Sequence, residues 1–329
     1  MKKNFYIFFA LVMLCGCLKD DINTPLDFDS NVALLKYLEE KGDYINSLDA
    51  PSLMEAAEVY ANLSNYLVVD VRTNEEFING HIQGARNVRN KELLDFLLTN
   101  NADSYQKVVL VSADGQESAF YTCLLKLYGF NNIFTLNFGM AYWNRNFSQI
   151  WLKKIKDSPG KMNYSFVEFP KEQLQELPQV FKQSNGNIED FTKERIASFI
   201  ARGYVDKMDD INEVEIGSIM YFICYSMRNL YDQGHPPNAV FYLVSEDLKS
   251  TKDLQTLPAG REILIYDYSG QLSAAVTAYL QLLGYNAKSF LYGANQLLYG
   301  TMTSDLDRRT WNYAFLPVRI NNFPYITGN

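Results

Sequence analysis

The sequence predicts an α/β protein made of two tandem units, each a mainly parallel sheet with helices on both faces. Three observations carry this. Landmarks recur at a constant offset: Gly80-His81 and Gly234-His235, Gly115 and Gly270, Leu127-Tyr128-Gly129-Phe130 and Leu282-Leu283-Gly284-Tyr285, and Gly139 and Gly293 all lie 154 or 155 residues apart. A fixed long period is the mark of an internal repeat. Short apolar runs, such as 66–71 and 107–111, alternate with helical segments. Strands apolar along their whole length are covered on both faces, as in parallel sheets. Finally, 329 residues suit about two domains, each large enough for its own core.

In chain order, the first repeat opens with a helix at Pro51-Ser52, where Ser52 and Glu55 have capping-box spacing. A strand follows at 66–71, a helix at 91–98, a strand at 107–111, a helix at 117–128 stopped by Gly129, and a strand at 133–136. The second repeat places strands at 219–224, 262–266 and 287–291, with a helix at 273–283. The predicted boundaries are a leader at 1–16, a tether with an N-terminal helix at 17–49, a first domain at 50–152, a charged linker at 153–163 carrying Pro159-Gly160, and a second, less regular domain at 164–329.

The leader sets the expected compartment. Lys2 and Lys3 precede ten apolar residues, 5–14. This is half the roughly 20 residues needed to cross a bilayer, and it matches the h-region of a secretory signal. The run ends in Leu14-Cys15-Gly16-Cys17, which resembles the lipobox of bacterial lipoproteins. That resemblance implies cleavage before Cys17, where small Gly16 precedes the cysteine, and lipid attachment at Cys17. Leu18-Lys19-Asp20-Asp21 resembles the acidic export tag of some Gram-negative lipoproteins, which implies an outer-membrane anchor and display at the cell surface.

Composition narrows the partners. Without the leader, 28 basic residues face 38 acidic ones, a net charge of −10. Such a balance argues against nucleic acid, which requires basic surface. With Cys17 lipidated, the remaining thiols Cys123 and Cys224 fall in different repeats, so a disulfide framework is not expected. The sequence contains no metal-spaced cluster, Walker loop or GxGxxG motif, so no cofactor or metal is predicted.

The stretch from Val69 to Val88, with Asp70-Val71-Arg72, Glu76-Phe77 and Gly80-His81-Ile82-Gln83-Gly84-Ala85, resembles the rhodanese signature. The second copy keeps Gly234-His235-Pro236-Pro237-Asn238-Ala239 but has Cys224 and Ser226 at the Asp and Arg positions. Together the copies resemble a tandem rhodanese of the thiosulfate sulfurtransferase type. That resemblance implies a nucleophilic cysteine where a strand turns into a helix, in a loop close to Cys-x-x-Gly-x-x-Ser. Here the aligned loops run Ser112-Ala113-Asp114-Gly115-Gln116-Glu117-Ser118 and Asp267-Tyr268-Ser269-Gly270-Gln271-Leu272-Ser273. Ser112 and Asp267 replace the cysteine, while Glu117 and Leu272 replace the family's arginine.

A hydroxyl forms no stable persulfide, and a serine nucleophile needs a base beside it. The two histidines, His81 and His235, belong to the Gly-His turn. The resemblance therefore implies a pseudo-sulfurtransferase: a lipid-anchored binding or scaffold module whose ligand is a protein or a small neutral or cationic molecule. The alternatives are a hydrolase working through Ser112 or Asp267, residual sulfur transfer, and an accessory protein of surface nutrient uptake. Cys123 and Cys224 read as core thiols. Asp70 and Arg72, with Glu75 or Glu76, read as an ion-paired network pinning a strand end. In the loops, Asp267 is expected to accept the backbone N–H groups and lower its own pKa, whereas Ser112 leaves its cradle open.

Overall fold

The computed structural model describes residues 30–155, 164–180, 187–208, 220–304 and 313–328. The leader, the lipobox with Cys17, the Leu18-Lys19-Asp20-Asp21 tag and Pro159-Gly160 lie outside the described residues. After helix α1 (Ser30–Glu40), the first unit runs β1 (Leu53–Met54), α2 (Ala56–Ala61), β2 (Tyr66–Asp70), α3 (Asn74–Asn79), β3 (Arg86–Asn87), α4 (Asn90–Thr99), β4 (Lys107–Val111), α5 (Gln116–Tyr128), β5 (Ile133–Leu136), α6 (Met140–Trp143) and α7 (Gln149–Leu152). The second runs α8 (Ile188–Arg202), β6 (Lys207–Met208), β7 (Met220–Ser226), α9 (Arg228–Asp232), β8 (Val240–Leu243), β9 (Glu262–Tyr266), α10 (Gln271–Leu282), β10 (Ala287–Phe290) and α11 (Tyr299–Ser304).

Both sheets are parallel and share one topology, β1-β5-β4-β2-β3 and β6-β10-β9-β7-β8. The predicted long strands fall where the apolar runs placed them, and every residue of β2 is buried. The chain reverses its direction of growth between β2 and β4, and again between β7 and β9. In open α/β sheets, a crevice forms at such a reversal, outside the carboxyl ends of the strands.

One sequence-based expectation fails. Residues 51–54 do not open a helix. Ser52 sits at φ 56°, its Oγ accepting from Tyr44 Oη at 3.1 Å and donating to the Asp49 carbonyl at 3.0 Å. Leu53 and Met54 instead extend beside β5, where Thr135 N–H reaches the Ser52 carbonyl and Asn137 N–H the Met54 carbonyl, each at 2.9 Å. The open edge of β5 offers ladder bonds that a first helical turn lacks. The helix starts at Ala56, and no side chain caps it.

The two units share a core. One apolar cluster runs from Val69, Leu110, Phe120 and Leu124 of the first unit to Ile223, Ile265, Ala275 and Tyr279 of the second. Alanines 274, 275 and 278 are fully buried on α10, and their short side chains let it lie close against α5. Helix α1 adds Leu34, Leu35 and Leu38 to this cluster, while its Glu39 carboxylate binds Ser250 N–H and Oγ of the second unit at 2.7 Å each.

An extended segment lies against the Gly-His turn of each unit. His235 pairs antiparallel with Ser165, just after the first unit, and His81 pairs antiparallel with Ile326, near the end of the chain. Tyr164 and Phe166 cover Gly234, and Tyr325 with Phe147 covers Gly80. The last described residues thus return to the first unit.

Candidate functional site

The two loops that follow β4 and β9 sit at these crevices and face one another. Each turns into its helix through a left-handed glycine, Gly115 at φ 89° and Gly270 at φ 82°, a conformation that carries a penalty for side-chain-bearing residues. These glycines are also places of close approach. A Cβ on Gly115 would collide with the Gln271 side chain, and one on Gly270 with the Gln116 side chain. Gln271 Oε1 accepts from Phe138 N–H at 2.9 Å, and Gln116 Oε1 accepts from Tyr292 N–H at 2.8 Å. Gln271 Nε2 donates to Asn137 Oδ1 at 3.0 Å, while Gln116 Nε2 returns to Asp114 Oδ2 at 2.8 Å. Each loop is corked by the first helical residue of the other repeat. The sequence held a sign of this, since glutamine follows the loop glycine in both copies, yet nothing local says that the two loops meet.

Asp267 fills its loop. Its Oδ1 accepts from Gly270 N–H at 2.7 Å and Ser273 N–H at 3.2 Å, and its Oδ2 from Ser269 N–H at 3.1 Å. The expectation of a lowered pKa is overturned. Burial outweighs the N–H bonds that pull the other way, and the Asp267 pKa is raised, because desolvation penalises the charged form.

The expectation of an open cradle at Ser112 also needs correcting. Its Oγ accepts from Gly115 N–H at 3.0 Å and lies 3.0 Å from Ser118 Oγ, so the loop is closed on itself. The serine is shorter than the aspartate and collects one loop N–H where Asp267 collects three. Beside it, Asp114 and Glu117 have raised pKa values, burial being the largest cause in both; Lys207 opposes the shift at each.

The strand ends compare in the same way. Asp70 and Arg72 form a buried ion pair, with Arg72 Nη2 2.6 Å from Asp70 Oδ2 and 2.8 Å from the Gly80 carbonyl. This pins the chain after β2 to the Gly-His turn. Glu76 does not join the pair; it forms a capping box with Thr73 on α3. Glu75 is exposed. In the second unit the equivalent positions hold a fully buried thiol, with Cys224 Sγ 3.1 Å from Ser226 Oγ. Burial raises the Cys224 pKa to about 12 and pushes the fully buried Cys123 thiol up as well. His81 stacks on Phe77 with its Nδ1 2.8 Å from the Phe77 carbonyl, and His235 stacks on Tyr231. Nδ1 of each ring lies against a backbone carbonyl, that of Phe77 and of Pro236, and not against Ser112 or Asp267. Among the described residues, no group of three His, Cys, Asp or Glu side chains could hold a metal ion.

A cleft of about 580 Å³ opens over the first loop, lined by Arg72, Glu76, Ala113, Met140, Phe147 and Tyr325 among others. Tyr325 comes from the returning C-terminal segment, and its hydroxyl accepts from Asn146 Nδ2 at 2.8 Å.

The Rhodanese-like domain family matches twice, at residues 55–146 and 225–296. The thiosulfate sulfurtransferase GlpE of Shewanella oneidensis is 35% identical over 80 residues, which is 23% of this chain and 74% of that protein. The protein of the same name from Ectopseudomonas mendocina is 30% identical over 96 residues, 29% of this chain and 84% of its own. Among solved structures, the thiosulfate sulfurtransferase of Pseudomonas aeruginosa is similar across 90% of this chain and 70% of its own, at 13% identity and a TM-score of 0.29. The chain belongs to the rhodanese-like family and consists of two tandem rhodanese-like domains.

Proposed function

We propose that this protein is a non-catalytic rhodanese-like lipoprotein that binds a ligand or partner from the outer membrane, with Cys17 as its lipid anchor. The observation that carries the reading is the content of the two loops. Sulfur transfer in this fold requires a thiolate in the loop, and thiolate character requires a lowered pKa. Ser112 and Asp267 take those places, both buried and both bonded to loop N–H groups. The thiols of the described residues, Cys123 and Cys224, are fully buried with raised pKa values. Mutual corking by Gln116 and Gln271 further closes the approach to each loop.

The similarity to thiosulfate sulfurtransferases favours a second reading, residual sulfur transfer. The deciding assay is thiocyanate formation from thiosulfate and cyanide by the purified mature protein. The expected result is no turnover above the buffer rate. Turnover that is lost on Cys123→Ser or Cys224→Ser would overturn the proposal.

The anchor is tested separately. Cys17→Ala should move the protein from the membrane fraction to the soluble periplasm, because stable attachment would depend on the acyl chains. A variant that still pellets with the outer membrane after a salt wash would refute lipidation at Cys17.

A further inference from the structure

The two repeats treat the same cleft differently. Position 113 of the first loop is alanine, and its counterpart in the second is Tyr268. The Tyr268 ring stacks on Tyr313 with centroids 4.3 Å apart, and its hydroxyl donates to Asn229 Oδ1 of α9 at 2.8 Å. Asn229 is the counterpart of Glu75 on α3. The phenol therefore reaches from loop to helix and fills the space that Ala113 leaves vacant. What the second repeat closes with its own aromatic side chain, the first keeps as a cleft of about 580 Å³, within the usual size range of small-molecule sites.

The lining specifies a ligand. Arg72 is 4% exposed, and its Nε and Nη2 are spent on Asp70 and the Gly80 carbonyl. Its Nη1 makes no hydrogen bond among the described residues, so the guanidinium, which lies over the Phe147 ring at 5.7 Å, keeps a donor for a ligand. The Asp70 carboxylate cancels the arginine's charge. Ile150 and Phe147, both partly exposed, supply apolar wall. Glu76 stands at the exposed mouth. Its Oε2 serves the cap on Thr73, which leaves Oε1 to face a ligand. The net charge offered to a ligand is negative.

We propose that this cleft binds small aromatic amines that carry a hydrogen-bond acceptor at the far end. The ammonium meets Glu76, the ring lies on Ile150 and Phe147, and the acceptor takes the Arg72 Nη1 donor. Tyr268 is the built-in version of such a ligand, a phenol fixed in the equivalent space. The inference rests on the binding-module reading above and gives that module a ligand class.

The test uses the full-length mature protein and three probes of similar size: tyramine, phenethylamine without the hydroxyl, and 3-(4-hydroxyphenyl)propionate with a carboxylate for the amine. NMR titration should give Kd values in that order, with tyramine on the order of 0.1–1 mM, as its few heavy atoms allow. Ala113→Tyr copies the second repeat and should weaken tyramine about tenfold or more without lowering the melting temperature. Glu76→Gln keeps the cap and should weaken both amines without weakening the propionate, which loses a like-charge repulsion. Equal or tighter binding of the propionate, unaltered tyramine binding by Ala113→Tyr, or no binding of any probe would overturn the inference. None of these outcomes bears on catalysis, which the thiocyanate assay decides alone.

Discussion

Removing residues 321–329 from the full chain should destabilise it by about 2–5 kcal/mol, read as a lower urea midpoint. The figure combines lost apolar burial with orphaned hydrogen bonds. The segment contributes Phe323, stacked on Tyr60 with centroids 4.2 Å apart, and Tyr325, packed edge-on against Phe147. Its backbone is knitted to the first unit. Phe323 N–H reaches the Trp143 carbonyl at 2.9 Å, Ile326 and His81 exchange bonds at 3.0 and 2.9 Å, and Gly328 N–H reaches the Ile78 carbonyl at 2.8 Å. Trp143 Nε1 donates to the Pro324 carbonyl at 2.9 Å, so the cut leaves a buried indole donor without its acceptor. Trp143 fluorescence should shift as water reaches the ring. An unchanged midpoint would mean that the tail merely rests on the surface. The cut should also strip one wall from the cleft, because Tyr325 lines it.

The long-range character of this tail explains what was legible in the sequence. Strands β2, β4, β7 and β9 announced themselves because burial on both faces leaves a largely apolar run. The helix starts at Gln116 and Gln271 were legible to within two residues, since each follows a loop glycine and each helix is long enough to show its pattern. Two-residue strands such as β1, β3 and β6 carry no pattern of their own and exist only through their neighbours. The returning tail is a pairing between His81 and Ile326, 245 residues apart in the chain, and no local composition encodes it. The same holds for the loops. Positions 112 and 267 were identified by alignment of the repeat, but the reciprocal glutamines require knowing that α5 lies against α10. Asp267 was correctly placed among the loop N–H groups and wrongly assigned a lowered pKa, because hydrogen bonds can be inferred from a motif and desolvation depends on everything packed around it.

Asp267→Ala should cost about 1–3 kcal/mol, because it leaves three buried backbone donors without their acceptor. Those donors are the N–H groups of Ser269, Gly270 and Ser273, all in a loop that is sealed by Gln116 from the other repeat. Ser112→Ala is the internal control. It releases Gly115 N–H alone, while Ser118 Oγ keeps its bond to the Gly115 carbonyl at 3.1 Å, so its cost should be about 1 kcal/mol or less. Since the units share a core and the C-terminal segment of the second packs on the first, both variants are compared as full chains by urea unfolding. The pH dependence carries the second half of the prediction. Burial holds the folded pKa of Asp267 above its unfolded value, so between the two values the native state binds more protons than the unfolded one. The aspartate's contribution is then complete below the unfolded value of roughly 3.9 and declines as pH rises through the higher folded value. The stability gap between wild type and Asp267→Ala should therefore be wider at low pH than at neutral pH. A gap that instead widens toward neutral pH would place the folded pKa below the ordinary carboxylate range, with the N–H cradle stronger than desolvation. No gap at any pH would mean that the carboxylate is not serving the loop at all, and position 267 would return as a group held ready for a ligand.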